Sequence, residues 1–135
     1  MPTRTFPGRF RCLPEIGDFV TRIARQAGLD SAQVYAVQLA VDEACTNIIE
    51  HGYGDEGRGE IVCSCDSTDE GITIMIKDWG QRFDPHGIPE PDYDIPLDEL
   101  RPRGAGVFLM NKLMDEVAFE FDSVEGNTLT MKKRR

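Results

Sequence analysis

Two stretches of this chain read as β-hairpins and the remaining patterned sequence reads as helix, which makes it a mixture of helices and antiparallel strand pairs. Glu60 to Cys65 and Gly71 to Lys77 are rich in β-branched residues, with the turn residues Asp66 to Glu70 between them. Glu116 to Phe121 and Thr128 to Lys132 flank a second turn, Ser123-Val124-Glu125-Gly126-Asn127. Ahead of the hairpins, after a short extended stretch, Glu15 to Gln26 carries Ile16, Phe19, Val20 and Ile23 at helical spacing and ends at Gly28. Asp30 or Ser31 caps a second helix, which runs to about Ile49 and stops at Gly52. Val34, Val37, Val41, Ala44, Cys45 and Ile48 form its core stripe. Between the hairpins, Val107 to Met114 is apolar nearly all round and predicts a buried helix continuing to about Asp115.

A chain of 135 residues is expected to form one domain, spanning 1–135. The first residues carry no apolar run, so no signal peptide is expected, and no stretch approaches the length of a membrane span. The expected compartment is the cytoplasm. A net charge of −9 repels nucleic acid and anionic lipid and suits a basic protein partner. Lys132-Lys133-Arg134-Arg135 is a local exception that reads as a solvated end. Cys12, Cys45, Cys63 and Cys65 contain no C-x-x-C pair, and His51 and His86 lack zinc-finger spacing. The thiols therefore read as reduced structural residues, with Cys63 and Cys65 on one side of a strand.

Three separated segments hold the residue types that chemistry needs. On the second helix Glu43 and Asn47 stand one turn apart and share a face, with the small residues Ala36 and Ala40 earlier on it. A carboxylate can take a proton from a nucleophile, and the amide oxygen beside it can coordinate Mg²⁺. The same pair also fits a plain exposed helix surface. At the end of the first hairpin, Asp78 can accept a hydrogen bond from an exocyclic amine such as that of adenine. Gly80 would let a base approach the backbone, and the alternative is a simple turn at Asp78-Trp79-Gly80. Lastly, Arg103-Gly104-Ala105-Gly106-Val107 places a Gly-x-Gly at a helix start, where backbone N–H groups bind anions. Arg101 and Arg103 could add charge there, and the alternative is a flexible helix entry. Residues 85–103 hold five of the eight prolines and no sustained periodicity, as a lid over a ligand or a surface excursion would.

The order of these segments resembles the GHKL ATPases, the superfamily of gyrase, Hsp90, histidine kinases and MutL, from about Leu13 to Met131. Asp42-Glu43-Ala44-Cys45-Thr46-Asn47 with His51 and Tyr53 is similar to the N box of the anti-sigma serine-protein kinase branch. Asp78-Trp79-Gly80-Gln81-Arg82-Phe83-Asp84-Pro85 resembles that branch's G1 box, and Gly104 to Leu109 with Leu113-Met114-Asp115-Glu116-Val117 its G2 region. Phe-Asp-Pro and Met-Asp-Glu-Val point to this branch rather than to the histidine kinases. Arg82 stands where many G1 boxes have a second glycine, and Ala105 where a larger aliphatic is common.

The resemblance implies an α/β (α+β) two-layer sandwich of the Bergerat type, with a mixed, largely antiparallel sheet and about three helices on one face. It implies an ATP-binding serine/threonine-protein kinase using Mg²⁺, which phosphorylates a STAS-type anti-anti-sigma protein and sequesters a sigma factor. Glu43 matches the general base, Asn47 the Mg²⁺ ligand, Asp78 the adenine-binding carboxylate, and Gly80 lies beside the base. Arg103, Gly104, Ala105, Gly106 and Val107 match the phosphate-contacting segment, and residues 85–103 the ATP lid. No direct nucleic-acid or membrane contact is implied, and a homodimer is carried over from the branch. The alternative is a catalytically weak, nucleotide-gated protein-binding regulator. No transducer domain, phosphoacceptor-histidine helix or dimerisation coil is recognisable, which argues against gyrase-, MutL- and histidine-kinase-type function.

Overall fold

A computed structural model describes residues 1–81 and 105–135. Its five strands are β1 (Thr3–Pro7), β2 (Glu60–Ser67), β3 (Gly71–Asp78), β4 (Glu116–Asp122) and β5 (Gly126–Arg134). They form one sheet in the order β1-β2-β3-β5-β4, and all four ladders are antiparallel. The helices are α1 (Leu13–Gln26), α2 (Ser31–Asn47) and α3 (Ala105–Leu113). The expected two-layer α+β sandwich is present, and among the described residues its sheet is wholly antiparallel.

Strand alternation decides which face the helices cover. Ile61, Cys63 and Cys65 on β2, Ile72, Ile74 and Ile76 on β3, and Leu129 and Met131 on β5 are buried. They join Ile16, Val20, Val37, Val41, Ile49 and Met110 of the helical layer in one core. Each isoleucine or methionine so buried contributes roughly 1.5–3 kcal/mol relative to exposure. The intervening Val62, Ser64, Met75, Thr128 and Thr130 are only half-buried and make the opposite face.

Local chemistry sets the helix ends. Gly28 takes φ 87° after α1, a left-handed conformation that costs a residue with a Cβ and suits glycine. Asp30 caps α2 through a reciprocal pair: the Gln33 N–H donates to Asp30 Oδ1 at 2.8 Å, and the Asp30 N–H donates to Gln33 Oε1 at 2.9 Å. Beyond Asn47 the helix does not stop but widens into a π-type turn, Ile48–Gly52, in which the Tyr53 N–H donates to Ile48 O at 2.8 Å. The third helix begins and ends two residues before its predicted bounds.

The basic C-terminal run is exposed at Lys132, Arg134 and Arg135, and its side chains also bond within the chain. Lys133 Nζ donates to Leu113 O at 2.7 Å, supplying a cation to the last turn of α3. Arg135 donates from Nη1 to Ala27 O at 3.0 Å and from Nη2 to Asp69 O, which ties β5 to the end of α1 and to the β2–β3 turn. Lys132 and Arg134 both pair with Glu116, at 3.7 and 3.3 Å. No helix among the described residues is long and apolar enough to cross a membrane.

Candidate functional site

The π-type turn at the end of α2 and the turn after β3 meet backbone to backbone. A Cβ added at Gly80 would lie 2.5 Å from Gly52 C and 2.7 Å from Gly52 O, so no side chain fits there. The next residue closes the contact, the Gln81 N–H donating to Gly52 O at 2.6 Å. Gly80 was expected to make room for a base, but its lack of a side chain is demanded first by Gly52. Tyr53 reinforces the junction: its hydroxyl accepts from the Trp79 N–H at 3.0 Å and donates to Glu60 O at 2.6 Å.

Asp78 is buried at the base of this junction. It is the last residue of β3 and points to the helical side, in register with Asn127 of β5, which in turn pairs with Phe121 of β4. The Asp78 Oδ1 accepts from the Gly80 N–H at 2.8 Å and from Asn127 Nδ2 at 3.1 Å. Burial pushes the Asp78 carboxyl up from its ordinary value, and these two donors pull it part of the way back. A cleft opens beside it, lined by Ala44, Asn47 and Ile48 from α2 and its turn, Met110 from α3, and Phe119, Phe121 and Leu129 from the sheet. One carboxylate at the edge of a largely apolar slot suits a flat ring that bears an amine.

The first turn of α3 lies against the other end of the site. A Cβ added at Gly106 would stand 2.8 Å from Asn47 Nδ2, 3.1 Å from Glu43 Oε2 and 3.4 Å from Asn47 Oδ1. The helix start and the Glu43/Asn47 face of α2 are therefore in contact, across some sixty residues of sequence. This overturns the plain-surface alternative for the pair, because Glu43 is buried and Asn47 half-buried under α3. Ala105 and Val107 belong to the same opening turn, with Val107 buried. Arg103, Gly104, Arg101 and residues 85–103 lie outside the described residues.

The fit to a metal-bound nucleotide can be judged from the donor set. Asn47 offers an amide oxygen beside a carboxylate, the hard oxygen donors that Mg²⁺ prefers, and Gly106 adds no side chain where a Cβ would meet both. The first N–H groups of a helix have no partner within it and suit anionic oxygens. The residues fit the group. Sequence reading missed Asn127, which it placed in the turn, along with Gly52, Met110, Phe119 and Phe121. Only the strand pairing brings Asn127 to Asp78.

Comparison with known proteins identifies the family and the fold. Residues 6–133 match the family described as the histidine kinase-like ATPase domain. The serine-protein kinase RsbW of Halalkalibacterium halodurans is 34% identical over 133 residues, covering 96% of this chain and 80% of the relative. The serine-protein kinase RsbW of Bacillus licheniformis is 33% identical over 115 residues, covering 82% of this chain and 71% of the relative. Among solved structures, the histidine kinase domain of the Erythrobacter litoralis EL346 blue-light activated histidine kinase shares the fold, with a TM-score of 0.50 at 16% identity. That likeness covers 93% of this chain and 60% of the other.

Proposed function

This chain belongs to the histidine kinase-like ATPase family, alongside the RsbW serine-protein kinases, and we propose that it is itself an ATP-dependent serine/threonine-protein kinase. The observation that carries the proposal is the contact of Gly106 with Glu43 and Asn47. A phosphate-binding helix start, a proton acceptor and a metal-ligand candidate meet there, one end of a cleft whose other end holds the amine acceptor Asp78.

In this reading the adenine ring enters the slot beside Asp78, between Ile48, Met110 and the Phe119–Leu129 wall. Phosphates lie along the first turn of α3 at Ala105, Gly106 and Val107, with Arg103 and Gly104 completing the phosphate-contacting segment by resemblance. Asn47 holds Mg²⁺, which when bound neutralises charge on the phosphate oxygens. Glu43 accepts the proton of the substrate hydroxyl as its oxygen bonds to the γ-phosphorus, and ADP leaves. Phosphoryl transfer needs mainly positioning and charge compensation, so this short set of groups suffices. Residues 85–103 act as the lid, and the whole chain works as one ATPase domain.

The protein substrate is a STAS-type anti-anti-sigma protein, and the kinase holds a sigma factor when that protein is absent. It regulates transcription by this exchange, in the cytoplasm and as a homodimer. Support for the kinase activity comes from the relatives named serine-protein kinase RsbW, and the net charge of −9 suits a basic partner; the partners, compartment and dimer follow from the family resemblance.

The direct test incubates the protein with labelled ATP, Mg²⁺ and purified STAS proteins from the same cell. Wild type is expected to label one of them on a serine or threonine. Glu43→Gln is expected to retain ATP binding and to lose about 10²–10⁴-fold in transfer, the usual contribution of general-base catalysis. Normal ATP binding with no labelled protein would defeat the kinase reading.

A further inference from the structure

The ladder between β2 and β3 stops before either strand ends. Its last pair at this end is Val62 with Lys77, and the same register would next oppose Ile61 to Asp78 and Glu60 to Trp79. Instead β2 runs on with β1, pairing Ile61 with Phe6 and Glu60 with Pro7, while β3 runs on with β5, pairing Asp78 with Asn127. A split opens between the two strands, and the hydroxyl of Tyr53 fills it. It accepts from the Trp79 N–H at 3.0 Å and donates to Glu60 O at 2.6 Å, so it bonds one backbone group from each side. Glycine makes room for the ring: a Cβ at Gly59 would overlap Tyr53 Cε1 and Cζ, and one at Gly8 would stand 3.5 Å from Cδ2. The Tyr53 N–H closes the π-type turn onto Ile48 O at 2.8 Å, which fixes the ring to the end of α2. Burial pushes the phenol above its ordinary value, which keeps the O–H protonated and donating at neutral pH.

We propose that Tyr53 is a positioning residue of the nucleotide site: its hydroxyl wedges the end of β3 away from β2 and so sets where the Asp78–Gly80 turn stands in the cleft. An N–H and a C=O that bond directly come to about 2.9 Å, and an oxygen bonded to both holds them farther apart. The end of β3 is then free to meet the π-type turn. The Gln81 N–H reaches Gly52 O at 2.6 Å, and the Gly80 N–H returns to Asp78 Oδ1 at 2.8 Å. Without the hydroxyl, the Trp79 N–H and Glu60 O either close on each other, which draws the turn off Gly52, or lose a partner each, which loosens it. Both displace the Asp78 carboxylate. Glu43 stands at the other end of the cleft, against Gly106, so the effect falls on nucleotide binding rather than on transfer.

This inference rests on the nucleotide reading of the cleft, and the experiment separates the two. Tyr53→Phe keeps the ring and removes only the hydroxyl. Its affinity for ATP is measured by titration calorimetry, and its transfer rate at saturating ATP is measured beside wild type. The variant is expected to bind ATP about tenfold more weakly and, once saturated, to transfer within about twofold of wild type. A variant that lost thermal stability but kept its ATP affinity would show a merely structural hydroxyl, and an equal loss in saturated transfer would place Tyr53 in support of Glu43. Either result overturns the proposal. A wild type that bound no ATP would instead defeat the nucleotide reading, and the positioning role with it. Backbone amide exchange needs only the wild-type protein and does not depend on the variant folding. The Trp79 and Gln81 N–H groups are expected to exchange at one common slow rate and to slow together when ATP binds. Fast exchange at Trp79 beside slow exchange at Gln81 would mean that the hydroxyl does not hold the turn, and would overturn the proposal as well.

Discussion

The carboxyl of Asp78 sits buried at the base of the cleft, and burial raises its pKa above the ordinary 3.8 despite the donors from Gly80 and Asn127. Between 3.8 and its folded value the native chain holds more proton at this site than the unfolded chain does. Stability from this group is therefore fully present below 3.8 and is lost as pH rises through the folded value. A charge held at such a cost belongs to a binding role rather than to folding. Asp78→Asn keeps an oxygen for the Gly80 N–H and for Asn127 Nδ2 and removes the buried charge. We expect this variant to melt a few degrees above wild type at pH 7.5, with the gap closing as pH falls toward the ordinary Asp value. It should also lose the protection that ATP gives. Thermal melts across pH, with and without ATP, read both effects, and a variant less stable than wild type at pH 7.5 would contradict this account. The residue types at positions 43, 47 and 78 were legible because carboxylates and amides at such spacing suggest chemistry in any chain. Asn127 was not legible, since an asparagine after Gly126 has the composition of a turn.

Gly80 and Gly106 are both glycines that a side chain would disturb, yet the neighbours differ in kind. At Gly80 the obstacle is the backbone of Gly52, at 2.5–2.9 Å, and the two turns it joins cannot part without losing the Gln81–Gly52 hydrogen bond. At Gly106 the obstacles are the ends of the Asn47 and Glu43 side chains, which rotate, and the position lies in a helix that alanine favours. Gly80→Ala is therefore expected to cost about 1–3 kcal/mol of stability, in the range of overpacking. Gly106→Ala should leave the denaturation midpoint within about 0.5 kcal/mol of wild type and lower the phosphoryl-transfer rate tenfold or more, because it displaces both polar groups. Urea titration paired with a transfer assay separates the two, and equal destabilisation by both would argue against the distinction. Helix α1 and strands β2 and β3 were visible in the sequence because burial imprints a local repeat, of 3.6 residues on α1 and of two on β2 and β3, whereas the π-type turn Ile48–Gly52 leaves no such repeat. The pairing of β3 with β5 leaves no such repeat. Asp78 and Asn127 come together only through the register of two strands on opposite sides of α3, and register is a property of the assembled sheet. The same limit hid the burial of Glu43, since its own helix cannot report that α3 covers it.

At the scale of the whole molecule, the helical layer and the sheet close on each other over buried thiols. Cys45 faces the sheet from α2, while Cys63 and Cys65 face the helices from β2, and all three are fully buried. Burial first, and then the nearby carboxylates of Asp42 and Asp78, push the Cys45 thiol up to about 12. The Cys63 thiol is also pushed up, chiefly by its hydrogen bond with Cys65 and then by burial. The thiolate is the reactive form, so in the closed molecule all three cysteines are protected by lack of access, and Cys45 and Cys63 also by lack of ionisation. Reaction requires the two layers to separate, which exposes the core along with the cleft that α2 and β3 share. Because that opening also destroys the nucleotide site, a ligand that binds only the closed form must suppress it by the factor 1 + [L]/Kd. Labelling of Cys45, Cys63 and Cys65 by a neutral disulfide reagent at pH 8, followed site by site by mass spectrometry, is expected to be slow and to proceed at one common rate. ATP at 100 times its Kd should slow all three about a hundredfold when reclosing outpaces labelling. Fast labelling of Cys45 alone would mean that α2 opens independently of the sheet. Labelling of all three that ATP left unchanged would mean that the cleft and the core do not open as one unit.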